Sequence, residues 1–377
     1  MEGLAKTADH AARGKQAAVT LGYYPNEFAR LFAGPSSQAE PSPGALINRG
    51  QYARVAAIGS ACEQFLGAAA AAAAPAQIVS LGAGFDTLWW QLRARGAAPR
   101  LFVELDQEAI VRRKCAIVSS KATLHRAFPE GAACVTPDGI ASEAAGYRLA
   151  MANLNDLGAL EAALDAAGWR AEEPTLLLAE CFLVYLEPEA ARGLLGWFGA
   201  RCPRAVHVSY DVVGPDDPFG RTMVDNLRRR GCPLLGLAAC PDAAAQSARC
   251  VAAGWDRADT ISLLAFFDEV VAAPERARVC RLELLDELEE WRLLLSHYSI
   301  TLAVSDRGGA ADGGAADGGS PIFAGIGVRV PVSRAYPPAP EGGMQPPAIP
   351  PVRREPPKLT MGAFAEEEEG EEEDMED

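Results

Sequence analysis

The sequence lacks the spacings that build metal sites and disulfide frameworks. Its nine cysteines contain no Cys-x-x-Cys pair and are odd in number, and its four histidines, at 10, 125, 207 and 297, form no His-x-x-x-His pair. A structural zinc site and a disulfide scaffold are therefore not expected, and reduced, buried thiols of a cytoplasmic protein are. No leader is expected either, because MEGLAKTADHAARGK has no apolar signal core. The charge-free stretch Gln64 to Phe85 is alanine-rich and is broken by Pro75, Ser80, Gly82 and Gly84, so no spanning helix and no membrane partner are expected. There is no surplus of basic charge. Of the net charge of −15, ten units sit in Glu366 to Asp377, and the remaining −5 gives no support to a nucleic-acid partner.

What is present reads as an α/β chain. Between about residues 48 and 302, apolar runs alternate with helical patterns, which suggests strands and crossover helices around a mostly parallel sheet. Strands are expected at QIVSL (77–81), RLFVELD (100–106), RLAMANL (148–154), PTLLLAECFLVY (174–185) and AVHVSYDVV (205–213). Helices are expected at 86–96, 107–118, 157–168 and 187–202, the last opening with Glu and Pro in its first turn. PFGRTMVDNLRRRG (218–231) breaks the rhythm as a helical insert. LLDELEEWRLLLSHY (284–298) is a further helix, SITLAVS is β-like, and IFAGIGVRV (322–330) is expected to be a last strand. The domain so defined spans residues 1–332, with a mobile Gly/Ala/Asp loop over about 305–320. Residues 333–377, proline-rich and then glutamate-rich, are expected to be a disordered tail.

Directly after the first strand stands VSLGAGFDT. A strand, Gly-x-Gly and then a helix is the arrangement in which bare backbone amides at a helix start meet a ligand. The dinucleotide fingerprint needs a third glycine, and here Gly82-Ala-Gly84-Phe-Asp-Thr87 lacks it. A carboxylate at Asp86 would repel a pyrophosphate. The second strand ends in Glu104-Leu-Asp106, which alternation points the same way, and an acid there can accept hydrogen bonds from ribose hydroxyls. A ligand with adenosine and ribose but no phosphate, S-adenosyl-L-methionine, fits these features best. A structural turn with surface acids remains the plain alternative.

The chain also resembles the leucine carboxyl methyltransferase family, which methylates the C-terminal leucine of the protein phosphatase 2A catalytic subunit. The resemblance rests on GKQAAVTLGYY (14–24), INRGQYARV (47–55), VSLGAGFDTLWWQL (79–92), FVELD with the following RRKC, PTLLLAECFLVYLEPE (174–189) and DPFGRTMVDNLRRRGCPLLG (217–236), continuing into LELLDELEEWRLLLSHY. It implies a class I S-adenosylmethionine-dependent methyltransferase (Rossmann-like) fold, with helices on both faces of the sheet. It places Lys15 and Arg54 near the methionyl carboxylate, Gly82 in the loop, Asp106 at the ribose and Glu180 against the cofactor. Asn153 stands where the family usually has an adenine-capping Asp, and Leu154 follows it; an Asn carbonyl can still accept from the adenine amino group. Tyr185, on the same expected strand as Glu180, is a candidate wall of the substrate pocket, and Arg54 and Lys15 are substrate-pocket candidates as well, as holders of carboxylates. The phosphatase would be the partner of a monomeric, cytoplasmic enzyme whose ester regulates holoenzyme assembly.

Each residue also has a plainer reading. Lys15 could be an exposed helix residue, Arg54 a structural ion-pair partner, Tyr185 ordinary core, and the arginines at 228–230 a solvated helix end complementing the dipole or a contact for an acidic partner. Glu180 is harder to set aside, since an unpartnered carboxylate in an apolar strand is costly. No Ser/His/Asp or Cys/His set stands out, and carboxyl methylation needs none: the acceptor is already ionised, so orientation and desolvation supply the acceleration. The same superfamily holds a tRNA wybutosine-modifying enzyme and small-molecule O-methyltransferases. A nicotinamide-dependent oxidoreductase and a non-catalytic interaction protein are the alternatives from other classes.

Overall fold

The computed structural model describes residues 2–33, 43–307 and 321–334. The expected 305–320 loop falls largely outside the described residues, as does all but the start of the expected tail.

Five strands run parallel through the middle of one nine-stranded sheet. β1 (Gln77–Leu81) is flanked by β2 (Leu101–Asp106) on one side. The hairpin β3 (Cys134–Thr136) and β4 (Gly139–Ser142) pairs antiparallel with β5 (Tyr147–Met151), which pairs parallel with β2. On the other side of β1 lie β6 (Thr175–Glu180) and β7 (Arg204–Val212), both parallel. β8 (Arg257–Ser262) forms the far edge, and β9 (Tyr298–Asp306) inserts between β7 and β8, antiparallel to both.

The central strands are buried on both faces, so their apolar runs are nearly continuous. Alternation divides them between two cores. Ile78, Phe102, Leu176, Leu178, Val206 and Val208 pack with the long helix Ala45–Ala71 and the helices Leu88–Ala94 and Glu108–Ser120. Val79, Leu81, Val103, Leu105, Leu177 and Ala205 pack with the helices Leu157–Ala166 and Pro188–Arg201. Helices thus cover both faces. The insert is the helix Pro218–Arg229, opened by Asp217, whose side chain accepts from the Gly220 amide, and by Pro218 in its first turn.

Two expected strands differ. PTLLLAECFLVY is a strand only to Glu180. Cys181 has φ +53°, a left-handed conformation that ends the ladder, and Leu183–Tyr185 form one 3₁₀ turn. Tyr185 is therefore not on the strand of Glu180. IFAGIGVRV is not a strand either: Phe323 plugs into the core against Phe65 (ring centroids 5.4 Å apart), and the Gly327 amide donates to Gln64 Oε1 at 3.0 Å. Its apolar residues fill the space beside the long helix, and the isolated bridge nearby, Val332 to Val271, falls just beyond it. All nine cysteines are free thiols, and among the described residues no helix is long and apolar enough to cross a membrane.

Gly82 and Gly84 follow β1 with φ +61° and +54°. Both occupy backbone that disfavours a side chain, but their surroundings differ. A Cβ on Gly82 would lie 2.4 Å from Phe182 Cδ2, whereas one on Gly84 would meet nothing nearer than Ala8 Cβ at 3.6 Å. Gly84→Ala should cost about 1–2 kcal/mol for the left-handed backbone alone. Gly82→Ala should cost clearly more, because the Phe182 ring must also move, and urea denaturation of the two variants measures the difference.

Candidate active site

The site is built where the carboxyl ends of β1, β2 and β6 meet the N-terminal helix Glu2–Thr20 and the long helix Ala45–Ala71. This is where open α/β sheets bind ligands. A cavity of about 1850 Å³ opens there. Its lining includes Lys15, Arg54, Gly82, Gly84, Asp106, Asn153, Leu154, Glu180 and Tyr185, so the structure brings every one of the sequence candidates to a single cavity.

At its floor four charges form a chain. Arg54 Nε lies 2.5 Å from Glu180 Oε1. Lys15 Nζ lies 2.8 and 2.9 Å from the two oxygens of the same carboxylate. Lys15 also donates to Asp86 Oδ2 at 2.7 Å. All four side chains are less than one-fifth exposed. Burial pulls the Lys15 ammonium down, but Asp86 and Glu180 together outweigh it and hold its pKa above the ordinary 10.5. Burial likewise works against the Asp86 carboxylate, and Lys15 outweighs it, so that Asp86 titrates below the usual range. The Arg54 guanidinium stacks on Tyr210, 4.6 Å from its ring centre, and uses only Nε toward Glu180. Its two terminal nitrogens donate no hydrogen bond among the described residues, a free fork suited to a carboxylate.

Around the loop, Asp106 accepts from the backbone amides of Gly84 and Gln107, both at 2.7 Å. Burial raises its carboxyl, and these two amides pull it back. Asn153 is exposed at the rim, where its Oδ1 accepts from the Asn155 amide at 3.2 Å; Leu154 is buried beneath it. Glu104 does not share the cavity with Asp106. It is fully buried, within 2.6 Å of Lys114 Nζ and accepting from the Tyr147 hydroxyl at 2.8 Å. On the acceptor side, Tyr185 faces the same cavity as Cys181, Phe182, Val212, Leu227 and Tyr298. The wall there is apolar and aromatic, and the insert helix supplies part of it.

Several parts of this site were not visible in the sequence. The Tyr210 platform under Arg54 joins residues far apart in the chain, while the Cys181 turn and the hydrogen bond from the Tyr24 hydroxyl to the Lys15 carbonyl (3.2 Å) are local but leave no pattern. Asp86, which the sequence marks only as repelling phosphate, also pairs with Lys15. Arg49 lies away from the site. It is buried, stacks on Trp291 at 5.5 Å and donates to the Glu283 carbonyl.

The residues fit S-adenosylmethionine by their chemistry. A ribose-competent acid stands at the end of β2, an arginine fork has free donors, and the glycine loop, its Gly84 amide bonded to that acid, lines the cavity. A pyrophosphate does not fit as well, since Asp86 and Glu180 both present carboxylate beside the loop.

Comparison with known proteins agrees with this geometry. The sequence pattern of the family described as Leucine carboxyl methyltransferase matches residues 6–199. The chain is 34% identical over 304 residues to the Leucine carboxyl methyltransferase 1 homolog of Arabidopsis thaliana, covering 80% of this chain and 89% of that protein. It is 33% identical over 312 residues to Leucine carboxyl methyltransferase 1 of Rattus norvegicus, covering 82% and 91%. It is also 38% identical over 307 residues to tRNA wybutosine-synthesizing protein 4 of Homo sapiens; this covers 79% of the chain but only 43% of that longer protein.

The two arginines of INRGQYAR should separate on substitution. Arg54→Lys keeps the charge and loses the planar fork, and should weaken S-adenosylmethionine binding by about 1.5–3 kcal/mol, the worth of a charged hydrogen bond. Arg49→Lys should leave that affinity unchanged and lower the melting temperature. Calorimetric titration of both variants, with ligand-free melting curves, checks the contrast.

Proposed function

The chain belongs to the leucine carboxyl methyltransferase family, S-adenosylmethionine-dependent carboxyl methyltransferases, and within it we propose that this enzyme esterifies the C-terminal leucine of the protein phosphatase 2A catalytic subunit. The observation that supports this reading is the pairing of the Arg54–Glu180–Lys15 cluster with an apolar wall of Tyr185, Val212 and Leu227 in one cavity. An open guanidinium edge and an apolar wall suit a carboxylate that carries a branched aliphatic side chain.

Bound S-adenosylmethionine supplies an activated sulfonium methyl, and the acceptor carboxylate is ionised at neutral pH. The protein therefore has no proton to remove. Arg54, held edge-on by Glu180 and face-on by Tyr210, offers its fork without rearranging. Asp106 and the loop amides fix the ribose end, while Tyr185 and Leu227 exclude water from the acceptor side. Orientation of this kind supplies rate without a general base. On this reading the enzyme acts in the cytoplasm as a monomer, and its product alters which regulatory subunits the phosphatase assembles with.

A second reading has a specific observation behind it, the 38% identity to a tRNA wybutosine-synthesizing protein. The two readings separate by acceptor. Labelled methyl from S-adenosylmethionine should pass to intact phosphatase 2A catalytic subunit and not to the same protein lacking its terminal leucine. Transfer to bulk tRNA, with none to the phosphatase, would overturn the proposal in favour of the second reading.

A further inference from the structure

The RRKC stretch that follows FVELD has no part in the site as described so far, yet its lysine is the most deeply buried charge in the molecule's cofactor half. Lys114, in the helix Glu108–Ser120, has no exposed side-chain surface and neither, to within 1%, has its partner Glu104 on β2. Lys114 Nζ lies 2.6 Å from Glu104 Oε2 and donates to the backbone carbonyl of Asp86 at 2.8 Å. It also sits over the rings of Trp90 and Phe32, 5.5 and 5.7 Å from their centres. The Tyr147 hydroxyl on β5 donates to the same Glu104 oxygen at 2.8 Å. Glu104 Oε1 makes no hydrogen bond among the described residues.

Such a pair is a poor device for stability. Removing two charges from water costs about as much as their attraction returns, and well-packed apolar replacements are often as stable or more so. The unsatisfied Oε1 makes the balance worse here, and burial raises the Glu104 carboxyl despite Lys114 and Tyr147. What the pair does achieve is positional. Asp86 is gripped at four points: its amide donates to the Ala83 carbonyl at 3.0 Å, its carbonyl accepts from Lys114, its Oδ1 from the Leu88 amide at 2.6 Å, and its Oδ2 from Lys15. The chain Tyr147–Glu104–Lys114–Asp86–Lys15–Glu180 thus runs from β5 to the ion cluster on the cavity floor.

We propose that Lys114, braced by Glu104 and Tyr147, is a positioning residue for the cofactor loop: it holds the Asp86 backbone so that the Asp86 carboxylate meets Lys15 beside the bound S-adenosylmethionine. The inference concerns cofactor binding alone and does not rest on which carboxylate is the acceptor.

The full-length double variant Glu104→Leu/Lys114→Met removes both charges together and leaves neither one stranded. Its S-adenosylmethionine affinity by calorimetry should fall by about tenfold, with the ligand-free melting temperature within ~5 °C of the parent or above it. Amide exchange should rise over residues 82–88 and stay unchanged over β1, a local signature that general destabilisation would not give. Tyr147→Phe, which keeps the ion pair, should weaken binding less than the double variant. An affinity within about threefold of the parent, roughly the worth of a marginal neutral contact, would overturn the proposal. So would failure of the double variant to fold, or a fall in melting temperature beyond ~5 °C, because the pair would then be a stability element.

Discussion

One carboxylate, that of Glu180, holds the site together. It stands at the last residue of β6 and is shared between Lys15 from the N-terminal helix and Arg54 from the long helix, 165 and 126 residues away in sequence. Without it two cations would face each other in a partly buried cavity, where unit charges about 4 Å apart repel by about 4 kcal/mol. With it, and with Asp86 on the far side of Lys15, the cluster is neutral by formal charge and still presents an open guanidinium edge. A site that binds a carboxylate must keep cations close together before the ligand arrives. Glu180 is what makes that tolerable.

The two faces of the sheet divide the remaining work. The face toward the helix Ala45–Ala71 carries Arg54, the Tyr210 platform and the buried Lys114–Glu104 pair, and so sets the cofactor end. The turn after β6 and the insert helix carry Tyr185 and Leu227, and so set the acceptor end. Cys181, with its left-handed backbone, joins them: the strand ends immediately before it, at Glu180, and the chain turns into Leu183–Tyr185. Residues held in sparsely populated backbone conformations cluster at functional sites because the surroundings must over-determine them. The hydrogen bond that its backbone amide donates to the Tyr210 carbonyl, at 2.6 Å, is one such constraint.

Much of this was legible in the sequence, for reasons that can be named. Buried parallel strands give short apolar runs, so QIVSL and RLFVELD could be placed almost to the residue. Gly-x-Gly after such a run marks backbone that must turn left-handed, as Gly82 and Gly84 do. Other features left no periodic trace. The turn at Cys181 depends on a non-glycine residue in a glycine conformation, so an unbroken apolar string read as one strand. IFAGIGVRV has strand-like composition, but Phe323 packing on Phe65 and the Gly327 amide bonded to Gln64 make it a core plug. RADTIS, half exposed at the sheet edge, and the short hairpin at 134–142 carry too little apolar pattern to be seen. In the site, the resemblance located Lys15, Arg54 and Glu180 individually. That they form one cluster with Asp86 is a fact of long-range packing.

The most direct test of this account is a double-mutant cycle on S-adenosylmethionine affinity, using Glu180→Gln, Arg54→Lys and the double variant. Residues joined through one network couple by about 0.5–3 kcal/mol, whereas independent ones add to within about 0.5 kcal/mol. If Glu180 acts by holding Arg54, the second substitution should cost much less once the first is made, with coupling of about 1 kcal/mol or more. Strict additivity of the two losses would show that Glu180 and Arg54 serve the cofactor independently, and would contradict the account.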